Sequence, residues 1–373
     1  MVNLQPRDVE FEIPVAEPVR ADRTSLLRLI WYGILALAVM AGFSTLYFAR
    51  AIFIPIALAI LLNLLLGPLV RRLARAGIPD AVGSALVLLL FLGSVGLTAF
   101  QLATPAAGWI NGMPESLRKL EYKLRDVRET VQEVKKTTEQ VEKMTEGAAA
   151  PTEQKVVVKG PSLADSFLSR AGEVVSTMGV IIVLLFFMLA SGDLFLLKLV
   201  RVLPTLSDKK LAVEIVRQAE NDISRYLMTI TVVNGGVGVA TVLIAYGFGM
   251  PNPVLWGVLA FILHFIPYLG SAVMLGVLGM VAALTFDEFW RMLGPAACYL
   301  AFVTFEGQFL TPMLLGRRLT LNPVVIFVAL LAWGWLWGVP GILMAVPLLA
   351  AFKILCDHVP SLTPVGEFLG RKE

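Results

Sequence analysis

Four polar side chains that could bind a solute or carry a proton lie within otherwise apolar runs of the C-terminal half: Asn234, His264, Glu306 and Gln308. A charged group in hydrocarbon is costly, so such residues are candidates for a functional path by default. Burial lets a carboxylate take up and release a proton, and an unperturbed histidine changes charge near neutral pH. These residue types predict a path for a small solute, a monovalent cation or a proton.

Each of these residues also has a purely structural interpretation. Glu306 ends an apolar run and could be an interfacial carboxylate paired with Arg317 or Arg318. His264 lies beside aromatic residues, where a packed and hydrogen-bonded histidine is common. Asn234 precedes two glycines, at which the helix could open and expose carbonyl groups, or at which two helices could pack closely. The sequence leaves these alternatives open.

Apolar runs long enough to cross a bilayer dominate the chain. Hydrophobic residues make up 57% of the 373 residues and charged residues only 16%, whereas soluble domains carry about 25% charged residues. Backbone in lipid must satisfy its own hydrogen bonds, so we predict an all-α polytopic membrane protein. The predicted organisation is a disordered cytoplasmic tail (1–28), N-terminal transmembrane helices (29–104), an extracytoplasmic helical or coiled-coil insert (105–173), a transmembrane helix followed by a cytoplasmic amphipathic helix (174–228), a transport core with two hairpins (229–356) and a cytoplasmic tail (357–373).

Arginine clusters predict the orientation of the chain. Arg20, Arg23 and Arg28 precede the first apolar run, and further arginines follow the second. Positively charged flanks stay on the cytoplasmic side, so both termini are expected in the cytoplasm, with the protein in the inner membrane.

The polar insert carries an apolar seam with alternating steps of three and four residues. Its members are Leu117, Leu120, Leu124, Val127, Val131 and Val134. Such a heptad pattern predicts either a helix packed on its own chain or a coiled-coil contact between subunits of a homo-oligomer.

Two apolar stretches near the C-terminus begin alike and are interrupted by proline and glycine. The helix starts are Asn252-Pro253 and Asn322-Pro323, and the interruptions include Pro267, Tyr268 and Gly270 in the first stretch and Pro340 and Gly341 in the second. Similar units of opposite orientation are typical of secondary transporters with broken helices. The alternative is that these residues only kink packed helices. Whether the hairpins span the membrane or are re-entrant stays open.

Sequence motifs for catalysis and cofactors are absent. There is no H-E-x-x-H, G-x-S-x-G, Walker A or dinucleotide motif, and the two cysteines form no metal-binding pattern. Basic residues are scattered beside apolar runs, which argues against nucleic-acid binding. We therefore expect a non-enzyme with no catalytic residues, cofactor or metal, driven by gradients or passive.

Three motifs carry a family resemblance: Ile266-Pro-Tyr-Leu-Gly270, Glu306-Gly-Gln-Phe-Leu-Thr-Pro312 and Gly316-Arg-Arg-Leu-Thr-Leu-Asn-Pro323. They resemble the autoinducer-2 exporter family, also called the PerM-like permease family. The resemblance implies a multi-pass permease of the cytoplasmic membrane. It also implies export of the quorum-sensing signal autoinducer-2, or in some members exchange of sodium or lithium for protons, and homo-oligomers, in particular pentamers.

Three functions are therefore expected in order. The first is export of a small solute, possibly autoinducer-2, without ATP hydrolysis. The alternative is sodium(lithium)/proton antiport. The further alternative is a non-transporting membrane scaffold that acts through the outer coiled coil.

Overall fold

The protein is helical throughout the part of the chain that the structure describes. This structure, a computed structural model, describes residues 23–139, 163–192, 198, 201, 206–315 and 321–370. Within these ranges there is no β-strand, and five helices are long and apolar enough to span a membrane. The predicted all-α polytopic fold class is therefore confirmed.

The helices follow the predicted runs closely. In chain order they are α1 (Arg23–Phe48), α2 (Arg50–Arg75), α3 (Asp80–Glu139), α4 (Leu163–Ser191), α5 (Leu206–Phe248), α6 (Pro253–Leu263), α7 (Leu269–Thr285), α8 (Phe289–Phe305), a π-helical turn (Glu306–Leu310), α9 (Thr311–Leu315), α10 (Pro323–Trp337), α11 (Val339–His358), a short 3-10 turn (Pro360–Leu362) and α12 (Thr363–Leu369). Helix α1 belongs to a separate unit that ends at Ala49, and α2 to α12 belong to the second. The heptad seam lies on the far part of α3, where the side chains are outside the described part of the structure.

Helix α5 differs from the sequence pattern, which separates an amphipathic helix ending at residue 228 from a span beginning at 229. The structure makes one helix of 43 residues, about 65 Å long, against a hydrocarbon thickness of about 30 Å. Its polar first half finds partners on α2. The Arg71 Nη1 donates to Glu220 Oε1 at 2.5 Å, and the Ser224 hydroxyl donates to the Leu64 carbonyl. Because these polar groups are paired, the helix continues without a break.

Two helical hairpins form the C-terminal half: the first hairpin (α6 and α7) and the second hairpin (α10 and α11). In each, the two helices pack against one another. Helix α6 has 11 residues and α10 has 15, which correspond to about 16 Å and 22 Å. Neither reaches the roughly 30 Å of a bilayer core, so these lengths favour hairpins that turn within the membrane.

Both hairpin tips depend on a glycine packed against backbone. A Cβ on Gly270 would overlap the Leu263 carbonyl, and a Cβ on Gly341 would overlap the Trp333 carbonyl. The break in the second hairpin occurs at Gly338, whose φ of 65° suits glycine. In the first hairpin the corresponding position is Tyr268, with a φ of 60°. A left-handed tyrosine is strained, and such strain clusters at functional sites.

The C-terminal segment closes the open end of the second hairpin. The Asn322 amide donates to the Leu369 carbonyl at 3.0 Å, just before α10 begins. The Leu369 side chain is buried in a cluster with Ala329 of α10 and Leu349 of α11. This docking ties the start of α10 to the end of α11.

The two asparagines at the hairpin starts play different roles, which gives a test. Asn322 accepts a hydrogen bond from the Val324 amide at 2.9 Å, whereas Asn252 makes no capping bond and has a φ of 53°. Loss of a cap costs about 1 kcal/mol, whereas glycine is at ease at positive φ. We expect Asn322→Ala to lower the unfolding midpoint in detergent and Asn252→Gly to leave it unchanged. Equal effects of the two changes would contradict these roles.

Candidate functional site

Glu306 lies in the π-helical turn that follows α8, and its side chain is buried. Only 5% of the residue is exposed. The turn has five residues, and the Thr311 amide bonds to the Glu306 carbonyl across it. This wider spacing also brings the Thr311 hydroxyl onto Glu306 Oε1, to which it donates a hydrogen bond. Single π-helical turns within α-helices are frequent at functional sites.

His264 joins the first hairpin to this carboxylate. It directly follows α6, and its Nε2 lies 3.3 Å from Glu306 Oε2. Its Nδ1 lies 3.3 Å from the Ser271 hydroxyl, in the first turns of α7. The imidazole therefore bridges the two helices of the hairpin tip to α8. The three side chains form what we call the polar relay: Ser271, His264 and Glu306.

The chemistry of the polar relay follows from its donors and acceptors. An ionised carboxylate only accepts hydrogen bonds, so His264 Nε2 must then carry the hydrogen and Nδ1 must accept from Ser271. When Glu306 is protonated, each donor and acceptor can reverse. A proton on the carboxyl group is thus coupled to the tautomer of His264. The relay can hold a proton, or bind a cation through carboxylate and hydroxyl oxygens, at one buried point.

Tyr299 lies beside the polar relay. It is 1% exposed, and its hydroxyl is near Ser271 and within electrostatic range of Glu306. The hydroxyl nevertheless forms no hydrogen bond with any residue that the structure describes. Sequence reasoning missed Tyr299, Ser271 and Thr311. Hydroxyl residues in apolar helices usually bond to their own backbone, and only the folded hairpin shows which of them face Glu306.

Gln308 and Asn234 are not brought to the polar relay by any contact seen here. Gln308 is exposed on the outer side of the π-helical turn. Asn234 is fully buried in α5, and neither its amide nitrogen nor its oxygen has a partner within the described ranges. The predicted partners of Glu306, Arg317 and Arg318, lie outside the described residues.

The glycine pair after Asn234 neither opens the helix nor forms a close contact. Helix α5 is continuous there, and a Cβ on either glycine would meet open space. The close approach lies a few residues further on. A Cβ on Gly238 would be 2.9 Å from the Gly257 carbonyl oxygen, and one on Gly257 would be 2.7 Å from that of Gly238. Helices α5 and α6 therefore pack through this second pair, which anchors the first hairpin.

A separate cavity of about 260 Å³ lies between α2, α4 and α5, with Asp80 of α3 at its edge. Its polar lining includes Asn63, Arg71 and Glu220, and it contains no member of the polar relay. Across the described ranges, no group of three histidine, cysteine or acidic side chains is arranged to hold a metal ion.

Comparison with known proteins agrees with the membrane architecture and the buried site. The model of the family described as "AI-2E family transporter" matches residues 34–361. The chain is 26% identical to the AI-2 transport protein TqsA of Escherichia coli (strain K12), over 83% of this chain and 87% of that protein. It is 31% identical to a provisionally named transport protein of Haemophilus influenzae, over 57% and 62% of the two chains. It is 26% identical to the provisionally named permease PerM of Escherichia coli (strain K12), over 87% and 92%. The chain is thus a multi-pass membrane protein that belongs to the AI-2E family of transporters.

Proposed function

We propose that this protein exports a small solute across the cytoplasmic membrane without ATP hydrolysis, using protonation of Glu306 to move the first hairpin. The observation that carries the proposal is the bond between the buried Glu306 carboxylate and His264 at the hairpin tip. An ionisable group at such a position is expensive to keep and therefore points to function.

The hairpin and the carboxylate sit on different elements, which makes the bond a switch. Glu306 follows α8, whereas His264 and Ser271 belong to the first hairpin. Protonation of Glu306 removes its charge and reverses the hydrogen bond to His264. Each protonation state thus holds the tip in its own way, and a proton gradient can bias the equilibrium between two tip positions.

The substrate proposal comes from the family. TqsA is named as an AI-2 transport protein, so autoinducer-2 is the first solute to test for this chain. Antiport of sodium or lithium against protons is the second candidate. It is favoured by the hydroxyl of Thr311, which lies against the same carboxylate and offers a further oxygen ligand.

Placement and assembly remain part of the proposal. The arginine clusters support a cytoplasmic position for both termini and a location in the inner membrane. A homo-oligomer, possibly a pentamer by the family resemblance, is expected from the seam on α3.

Reconstitution into liposomes tests the proposal. Purified protein would be placed in vesicles that contain a pH dye and autoinducer-2, and a pH gradient would be imposed with and without external sodium. Efflux of autoinducer-2 that is accelerated by the gradient would support export. A sodium-dependent change of internal pH would support antiport instead. No flux of either kind from folded, inserted protein would contradict both candidates.

A further inference from the structure

Tyr299 presents a buried polar group that the fold leaves unsatisfied. Its residue is 1% exposed, and its hydroxyl has no hydrogen-bond partner among the described residues. Burying an unpaired hydroxyl is unfavourable, and a phenylalanine would fill the same space without that cost. The retention of a hydroxyl here calls for a partner in another state of the site.

The position of Tyr299 indicates that partner. Tyr299 and Glu306 are seven residues apart, close to two helical turns, so they lie on the same side of α8 and its extension. Helix α7 packs against α8 and carries Ser271 in its first turn. The tip of the first hairpin thus lies between two polar groups of α8. His264 meets the lower one, Glu306, and Ser271 lies near the upper one, Tyr299.

We propose that Tyr299 is a positioning residue of the polar relay, whose hydroxyl bonds to Ser271 and thereby sets the tautomer of His264 that faces Glu306. This inference rests on the proposed function. When Glu306 is ionised, Tyr299 donates to Ser271, Ser271 donates to His264 Nδ1, and His264 Nε2 donates to Glu306. When Glu306 binds a proton, all four bonds reverse, and the Ser271 hydroxyl then donates to the Tyr299 oxygen.

The reversal conserves every proton within the chain of four groups. Tyr299 itself is not deprotonated, and its hydroxyl only rotates between donating and accepting. The relay has two orderings, each complete only when a hydroxyl terminates it beyond Ser271. Without that hydroxyl, Ser271 still bonds to His264, but neither ordering is favoured.

The test is Tyr299→Phe, which removes one oxygen and keeps the ring. The matched control is Tyr226→Phe, at a tyrosine of α5 that is 5% exposed and lies outside the polar relay. Both variants and Glu306→Gln would be compared in liposomes for flux as a function of pH, and in detergent for melting temperature. We expect Tyr299→Phe to lower flux about tenfold, the order of one hydrogen bond, and to displace its pH profile. We expect its melting temperature to stay level or rise, and Tyr226→Phe to leave flux and pH profile unchanged.

The outcomes separate this inference from the proposed function. Wild-type flux and pH profile in Tyr299→Phe, with Glu306→Gln inactive, would overturn the role of Tyr299 alone. Wild-type flux in Glu306→Gln would overturn the proposed function itself. A marked drop in melting temperature for Tyr299→Phe would show that the hydroxyl is a structural bond, which also contradicts the inference. A shifted pH profile without loss of stability would establish it.

Discussion

Replacing Glu306 by glutamine is expected to lower transport at least about a hundredfold, the scale of a positioned proton-transfer group, while the protein stays folded. Glutamine has the same shape, and its side-chain oxygen can still accept the bond from Thr311. It cannot bind a proton or carry a charge. The hydrogen bond to His264 then has one fixed polarity, and a proton gradient no longer biases the hairpin tip.

The control for Glu306→Gln is the same change at Glu367, which is exposed on α12. Flux of autoinducer-2 and of sodium-linked protons would be measured in liposomes, with size-exclusion chromatography in detergent to confirm folding. Glu367→Gln should behave like the wild type. Wild-type flux in the Glu306 variant would remove this carboxylate from the transport path, and the interpretation of Glu306 as a structural residue would stand.

The second large effect is expected from Gly270→Ala. The new methyl group would overlap the carbonyl of Leu263, which is backbone and cannot rotate away. We expect a loss of about 3 kcal/mol, typical of overpacking at its upper range. Leu263 directly precedes His264, so a shift of this backbone also moves the imidazole away from Glu306. Transport should therefore fall together with stability.

A matched glycine on the same helix makes this prediction specific. A Cβ on Gly276 of α7 would meet no atom within 4 Å, so Gly276→Ala should raise stability by up to about 1 kcal/mol through helix propensity. Thermal unfolding in detergent and flux in liposomes would be compared for both variants. Similar behaviour of the two variants would show that the tip of the first hairpin is not closely packed.

The two hairpins share a construction but differ in chemistry. Each begins with Asn-Pro and closes its tip with a glycine against a carbonyl. The first carries His264 at its tip, whereas the second packs Trp333 against Trp337, with ring centroids 4.6 Å apart. The second is also held at its open end by the C-terminal segment. These differences favour the first hairpin as the mobile element and the second as a fixed support.

Much of the architecture could be predicted from residue patterns alone. The length of each apolar run decides whether it becomes a helix in lipid, and the run at 289–305 became α8 with the same bounds. Glycine and proline mark where a helix must stop, so both hairpins were visible as interruptions. The joining of the amphipathic and apolar parts of α5 was not, because its continuity depends on partners such as Arg71 on a distant helix.

The sequence by itself determined the class of protein, the positions of its helices and the choice of Glu306 and His264 as candidates, because hydrophobicity and the cost of buried charge are local properties. Only the tertiary structure decided that these two residues meet, that Ser271, Thr311 and Tyr299 surround them, and that Gln308 faces away. The residues of the polar relay are as much as 42 positions apart. Contacts over that distance are set by how the hairpin packs on α8, which no local pattern encodes.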